Sequence, residues 1–97
     1  MKNLDEIKRK LKDLKPILRE RFNVTRIDLF GSYTRGEQRR RSDLDMLVEF
    51  SEPIGLFQFI ALEDFLKEEL RVKVDLVMRK NLKNRIRDRI VKEAIPV

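Results

Sequence analysis

Three short runs with strand character, separated by stretches of helical periodicity, limit what this chain can fold into. The runs are 24-VTRIDLF-30, 43-DLDMLVEF-50 and 72-VKVDLVM-78, and each combines β-branched or large apolar residues with flanking turn residues or charges. Apolar residues at helical spacing occupy 4–22, 56–70 and 83–94. With a short helical turn near 32–35, the predicted order is α-β-α-β-α-β-α, which describes one small sheet backed by helices.

The lengths of the connections predict how the strands pair. The second and third strands flank a full helix, so they can run parallel through a right-handed crossover. The first and second are joined by only about a dozen residues, a length that also permits antiparallel pairing. The predicted fold class is therefore α+β with a small mixed sheet. Pro16 lies inside the first helical pattern and predicts a kink or a break near Lys15.

Length and composition place the chain in a broad class. Its 97 residues are expected to form a single domain, 1–97. No apolar run approaches the roughly 18 residues of a membrane span, and the charged N-terminus lacks the apolar block of a signal peptide. The absence of cysteine is consistent with a reducing compartment, so we expect a cytoplasmic protein.

The lack of histidine and cysteine also limits the chemistry that the chain can perform. Any bound metal should be a hard ion held by oxygen, Mg²⁺ or alternatively Mn²⁺. Acid–base work would fall to carboxylates, lysines or Tyr33. The net charge of +6 favours an anionic partner, whether a nucleotide, a nucleic acid or an acidic protein surface.

Two aspartates open the second strand. Because residues i and i+2 of a strand point to the same side, Asp43 and Asp45 should project together. Asp75 interrupts the apolar third strand, and it would join them on one face if that strand lies beside the second. Three acids around one point predict ligands for divalent ions. The alternatives are a turn cap at Ser42-Asp43 and a salt bridge from Asp75 to Lys73 or to a nearby arginine.

A Gly-Ser pair stands where the first strand ends. Gly31 lets the backbone approach a ligand closely, and a helix beginning at Ser32 would direct N–H groups at phosphate. The pair is not a Walker A loop, since the Gly-Lys-Ser/Thr ending is missing. Its interest comes from the short connection that ties it to the aspartates.

Gly31-Ser32, ten intervening residues and Asp43-x-Asp45, followed by Asp75 in an apolar strand, resemble the signature of the polymerase-β-type nucleotidyltransferase superfamily. Further segments are similar to the minimal nucleotidyltransferase (MNT) proteins, which prokaryotes encode beside HEPN-domain proteins. These segments are 29-LFGSYTRGEQRRRSDLDMLVEF-50, 53-PIGLF-57, 74-VDLV-77 and 90-IVKEAIPV-97.

The resemblance implies a nucleotidyltransferase fold and roles for particular residues. Asp43 and Asp45 would hold two Mg²⁺ ions, and Asp75 would complete the catalytic metal site and assist in deprotonating the acceptor. Gly31 and Ser32 would hold the triphosphate. Arg35 would contact phosphate.

It also implies a substrate and a partner. In HEPN/MNT toxin-antitoxin systems the MNT protein moves AMP from ATP onto a tyrosine of the HEPN toxin, as a protein adenylyltransferase acting as antitoxin. The alternatives are a binding module that neutralises its partner by contact and a basic nucleic-acid-binding domain. The latter is less favoured, because the chain has one Tyr and no Trp for base stacking. The nucleotide, the acceptor residue, the number of AMP units and a homo-oligomeric state stay open.

The helix predicted over 56–70 carries more apolar residues than one buried stripe requires. It is expected mainly to cover the sheet, with an interface as the alternative if part of it is exposed. Arg39, Arg40 and Arg41 receive no role.

Overall fold

The computed structural model describes residues 3–36, 43–82 and 84–97, and for residues 84–87 it describes the backbone alone. The elements are α1 (Leu4–Phe22), β1 (Val24–Phe30), β2 (Leu44–Phe50), α2 (Leu56–Leu70), β3 (Val74–Met78), α3 (Asn84–Glu93) and β4 (Ile95–Pro96). A short 3-10 helix, Arg79–Asn81, lies between β3 and α3. The predicted class, α+β with a small mixed sheet backed by helices, is confirmed.

Within the described ranges the four strands form one sheet in the order β3-β2-β1-β4. β1 and β2 are antiparallel, and β2 and β3 are parallel through α2. β4 pairs antiparallel with the outer side of β1, Leu29 opposite Ile95. Sequence patterns did not predict this two-residue strand, which is too short to show alternation. Its proline is compatible with its place at an edge, where an N–H is not required.

α1 is one continuous helix, so the break predicted near Lys15 does not occur. The Asn3 side chain accepts a hydrogen bond from the Glu6 N–H at 2.9 Å at the start, and Asn23 ends the helix in the left-handed conformation at φ 59°. Pro16 lies on the exposed side. Its missing N–H leaves a carbonyl that water can satisfy there, while the buried Leu14 and Leu18 hold both sides of the proline on the core.

α1 and α2 cover one face of the sheet. Their buried residues pack on strand residues that alternate along β1, β2 and β3; the fully buried members include Ile7, Leu11, Leu29, Leu44, Met46, Leu62 and Leu66. Because side chains alternate along a strand, the residues between them point to the opposite face. That opposite face carries the charged residues of the strands. None of the described helices is long and apolar enough to cross a membrane.

α2 is only partly used as a cover. Leu62, Leu66 and Leu70 are buried, as predicted for a helix packed on the sheet. Near its start, however, Leu56 and Phe57 are 71% and 87% exposed, and Ile60 is 45% exposed. The apolar excess noted in the sequence is therefore partly a surface feature.

Candidate active site

Two of the three aspartates predicted as ligands lie side by side on the open face of the sheet, and the third stands near them. Asp45 in β2 and Asp75 in β3 are register partners in neighbouring parallel strands, so their side chains point to the same face. Asp43 stands directly before β2, where the Leu44 N–H donates to the Lys73 carbonyl at 2.7 Å. Both Asp43 and Asp75 act electrostatically on Asp45. We call this trio the acidic cluster.

The surroundings of Asp45 change its protonation. Burial raises its pKa to about 6, assisted by the charges of Asp75 and Asp43 and by a side-chain hydrogen bond with Asp75, while Arg35 acts in the opposite direction. Like charges gathered in this way favour either a retained proton or a bound cation.

The other two aspartates are open to solvent. Asp43 and Asp75 are exposed, whereas Asp45 is partly buried. In the described part of the chain no ion pair joins Asp75 to Lys73, so that form of the salt-bridge alternative is not realised there. The alternative of a turn cap at Ser42-Asp43 involves Ser42, which lies outside the described residues. Arg39, Arg40 and Arg41 also lie outside them.

No three acidic side chains among the described residues already converge as a ready metal-binding set. The acidic cluster thus consists of neighbouring carboxylates on one open edge rather than a closed cage. A groove of about 480 Å³ lies elsewhere, at the other ends of the strands, against Thr25, Glu49 and Arg79. A triphosphate with metal binds to charged surface more than to an apolar cavity, so the acidic cluster suits such a ligand better than this groove does.

Gly31 lies against the acidic cluster. It follows Phe30, the register partner of Asp45, and adopts φ +82°. A Cβ at this position would overlap the Asp45 carboxylate, with Oδ2 as the nearest atom. Only glycine combines this left-handed backbone with so close an approach at no steric cost. The sequence predicted a close approach to a ligand, and the structure adds a close approach to a carboxylate.

The residues after Gly31 form a run of turns rather than the predicted short helix. The N–H groups of Thr34, Arg35 and Gly36 donate to carbonyls three residues earlier, at 3.1, 3.2 and 3.4 Å. The Thr34 hydroxyl also donates to the Gly31 carbonyl at 2.8 Å. Overlapping bonds of this kind hold Ser32 in a tight curve beside the acidic cluster.

Tyr33 fixes this turn to the protein. Its side chain is buried in the main core, only 3% exposed. Burial raises the pKa of its hydroxyl, and the charge of Asp43 adds to the effect. A phenol that keeps its proton in this way is a poor general base. Among the acid–base candidates from the sequence, the structure therefore favours the carboxylates.

Arg35 ends the turn and lies within electrostatic reach of Asp45. Its NH1 lies 3.7 Å from Oε2 of Glu93, the last residue of α3. The structure thus places a guanidinium beside the acidic cluster, and its predicted contact with phosphate stays a prediction.

Sequence reasoning missed a buried carboxylate on the same face. Asp28 in β1 is 2% exposed and lies between two arginines. Arg26 Nε is 3.2 Å from the carboxylate, and Arg79 NH1 is 3.6 Å from it, while Arg79 Nε is 3.4 Å from Glu49. The sequence signal for this carboxylate is an acidic residue within an apolar run, the same signal that singled out Asp75.

The fold and the acidic cluster define a class of protein: a small α+β domain with carboxylates on neighbouring parallel strands and a glycine turn beside them. Residues 11–97 match the family model of the nucleotidyltransferase domain. This chain belongs to the nucleotidyltransferase family.

Individual relatives agree with the family model. The protein adenylyltransferase MntA of Thermococcus cleftensis is 45% identical over 97 residues, covering 100% of this chain and 98% of the relative. A solved structure provisionally assigned as a minimal nucleotidyltransferase has a TM-score of 0.85 at 34% identity, covering 99% of this chain and 97% of its own. A crystal structure of a toxin-antitoxin with AMP-PNP has a TM-score of 0.73 at 28% identity. The match covers 90% of this chain and 70% of the chain in that structure.

Proposed function

We propose that this protein is a protein adenylyltransferase that moves AMP from ATP onto a hydroxyl of a partner toxin and thereby acts as an antitoxin. The observation that carries the proposal is the register pair Asp45–Asp75 with Asp43 beside it, next to the turn at Gly31. The name of the Thermococcus relative and the toxin-antitoxin structure with AMP-PNP support the same activity.

The donor set fits divalent ions. Nucleotidyltransferases generally use such ions, and the acidic cluster offers only carboxylate oxygens, the ligands that Mg²⁺ and Mn²⁺ prefer. A cation would offset both the burial of the Asp45 charge and its repulsion by Asp75 and Asp43, which together raise its pKa. Asp43, Asp45 and Asp75 would hold two ions together with the nucleotide. When bound, the ions would stabilise charge on the attacking and leaving oxygens.

The protein's own groups would bind and orient the nucleotide. Because the N–H groups of Thr34, Arg35 and Gly36 donate within the turn, we assign the triphosphate to the backbone at Gly31 and to the amide and hydroxyl of Ser32. Arg35 would add a guanidinium contact to phosphate.

The transfer is a single displacement at the α-phosphorus of ATP. The acceptor hydroxyl oxygen forms a bond to this phosphorus, and the bond from the phosphorus to the bridging oxygen of the β-phosphate breaks. Pyrophosphate leaves with that electron pair. The hydroxyl proton passes to the carboxylate of Asp75, whose exposure lets it release the proton to water.

The acceptor would come from another protein, in the cytoplasm. The HEPN toxin implied by the sequence resemblance supplies a tyrosine of suitable chemistry. The exposed apolar residues Leu56, Phe57 and Ile60 at the start of α2 offer a surface on which a partner could pack.

The test is incubation of the protein with α-labelled ATP, Mg²⁺ and the HEPN-domain toxin that the resemblance implies as its partner. Wild type should label the toxin, and Asp43→Asn combined with Asp45→Asn should lower the rate at least about 10²-fold. Glu63→Gln removes a carboxylate from a surface pair with Lys67, so it should leave the rate unchanged.

Absence of label with wild type, or equal labelling by the double variant, would refute the proposal. If the double variant still protected cells from the toxin, neutralisation by contact would be the correct function.

A further inference from the structure

We propose that Glu93 is a positioning residue, which orients Arg35 for the phosphates of the nucleotide. This inference depends on the proposed nucleotide site. It assigns a task to the closing segment 90-IVKEAIPV-97, whose role in the reaction was otherwise undefined.

The geometry places Glu93 beside Arg35. The Glu93 carboxylate lies between two guanidinium groups, with Oε2 3.7 Å from Arg35 NH1 and Oε1 3.7 Å from Arg89 Nε. Arg35 also lies close enough to Asp45 for its charge to lower the pKa of that carboxyl. The side chain of Arg35 is therefore set between a carboxylate of α3 and the acidic cluster.

Glu93 stands at an electrostatically unfavourable position. The carboxyl end of a helix carries a partial negative charge, so an acid in the last turn is unfavourable there. Glu93 is the final residue of α3. Its position works against helix stability and is offset by the two arginines. A residue that local helix energetics disfavours is a candidate for a functional task.

Backbone hydrogen bonds on both sides of Glu93 keep it in place. α3 ends with the Ala94 N–H donating to the Ile90 carbonyl at 2.8 Å. β4 then pairs with β1 opposite Leu29, and the Val97 N–H donates to the Ile27 carbonyl at 3.1 Å. This pairing fixes the end of α3 beside the strand that leads into Gly31.

The ion pair with Glu93 is made by NH1 of the Arg35 guanidinium. This contact restricts the rotamers of Arg35 before the nucleotide arrives, which lowers the entropy cost of binding phosphate. Arg35 and Glu93 are 45% and 40% exposed, so solvent screens their attraction and the effect must be modest. We expect about a threefold change in affinity, which corresponds to about 0.7 kcal/mol.

The experiment measures binding of α,β-methylene-ATP, an analogue that cannot be cleaved at the α–β position, with Mg²⁺ by calorimetry. Glu93→Gln should weaken binding about threefold, while binding of AMP should be unchanged because AMP lacks the β- and γ-phosphates. In an Arg35→Gln background Glu93→Gln should have no further effect, as a double-mutant cycle requires of two residues acting as a unit.

The matched control is Glu63→Gln, which makes the same change in an i,i+4 surface pair remote from the acidic cluster. The unfolding midpoint of Glu93→Gln should stay within about 2 °C of wild type, since loss of the ion pairs is offset by relief at the helix end.

Tighter analogue binding by Glu93→Gln, an equal loss for AMP, or an undiminished effect without Arg35 would overturn the inference. These binding results are separate from toxin labelling. Labelling by wild type with no effect of Glu93→Gln on binding would refute the inference alone, and absent labelling with the predicted binding change would refute only the transfer.

Discussion

The open face of the sheet has two charged regions that differ in how their charges are balanced. At one end, Asp45 and Asp75 lie side by side with Asp43, and burial together with the charges of Asp75 and Asp43 raises the pKa of Asp45. At the other end Asp28 and Glu49 each contact an arginine; we call Arg26, Asp28, Glu49 and Arg79 the balanced end.

The two regions lie on the same side of the same strands. Phe30 is the partner of Asp45, and Asp28, two residues earlier in β1, points to the same face. The protein therefore satisfies its own carboxylates at one end and leaves like charges together at the other. The difference indicates that the balanced end stabilises the fold and that the acidic cluster binds cations.

The same isosteric substitution should have opposite consequences at the two ends. Asp45→Asn should lower toxin labelling at least about 10²-fold without lowering the free energy of unfolding, because it removes repulsion together with a ligand. Asp28→Asn should lower the free energy of unfolding by about 1–3 kcal/mol, because it leaves two arginines without their buried counter-charge. Labelling per folded molecule should persist in Asp28→Asn.

Urea denaturation and the labelling assay, applied to both variants, check this pair. If Asp28→Asn abolished labelling at full stability, the balanced end would belong to the reaction. If Asp45→Asn unfolded the protein, the acidic cluster would be structural.

The two glycines of the turn after β1 differ in whether they contact the acidic cluster. Gly31 and Gly36 both have positive φ, +82° and +70°, but a Cβ at Gly36 would meet nothing within 4 Å. Gly36→Ala should therefore cost only backbone strain, about 1 kcal/mol. Gly31→Ala adds a collision with the Asp45 carboxylate and should also lower labelling about tenfold or more, because it displaces Asp45.

Labelling by the two alanine variants is compared at equal concentrations of folded protein, which circular dichroism measures. Equal activity losses in the two alanine variants would mean that strain in the turn, rather than contact with Asp45, explains the need for Gly31.

The sequence predicted those features that depend on periodicity. α2 begins and ends where the pattern placed it, Leu56–Leu70, and β1 has its predicted bounds, Val24–Phe30. The i, i+2 spacing of Asp43 and Asp45 also predicted a shared side, and the parallel crossover brought Asp75 to them.

Features that depend on tertiary contacts could not be read in this way. Pro16 breaks a helix in isolation, but here core packing on both sides outweighs its lost hydrogen bond. β4 has two residues and exists because β1 offers an edge. The Arg35–Glu93 contact joins residues far apart in the sequence, and no local pattern announces it.

The smallest effect we expect is a dependence of stability on pH that arises at the acidic cluster. The native pKa of Asp45, about 6, is above the ordinary value of 3.8, so between these values the folded protein holds more protons than the unfolded chain. Stability from this group is thus full below about pH 4 and is lost as pH rises through 6. One pKa unit corresponds to about 1.4 kcal/mol, but solvent screening of this partly exposed group reduces the total loss to about 1 kcal/mol.

Asp45→Asn isolates the contribution, since the other groups titrate in both proteins. Without metal, the free energy of unfolding of wild type relative to Asp45→Asn should fall by about 1 kcal/mol between pH 4 and pH 7.5. Added Mg²⁺ should stabilise wild type more at pH 7.5 than at pH 5, because binding requires the ionised carboxylate and favours the folded state by mass action. Stabilisation by Mg²⁺ that was equal at both pH values, or equal in Asp45→Asn, would mean that the cation binds away from the acidic cluster. The repulsion there would then be a cost without a ligand to offset it.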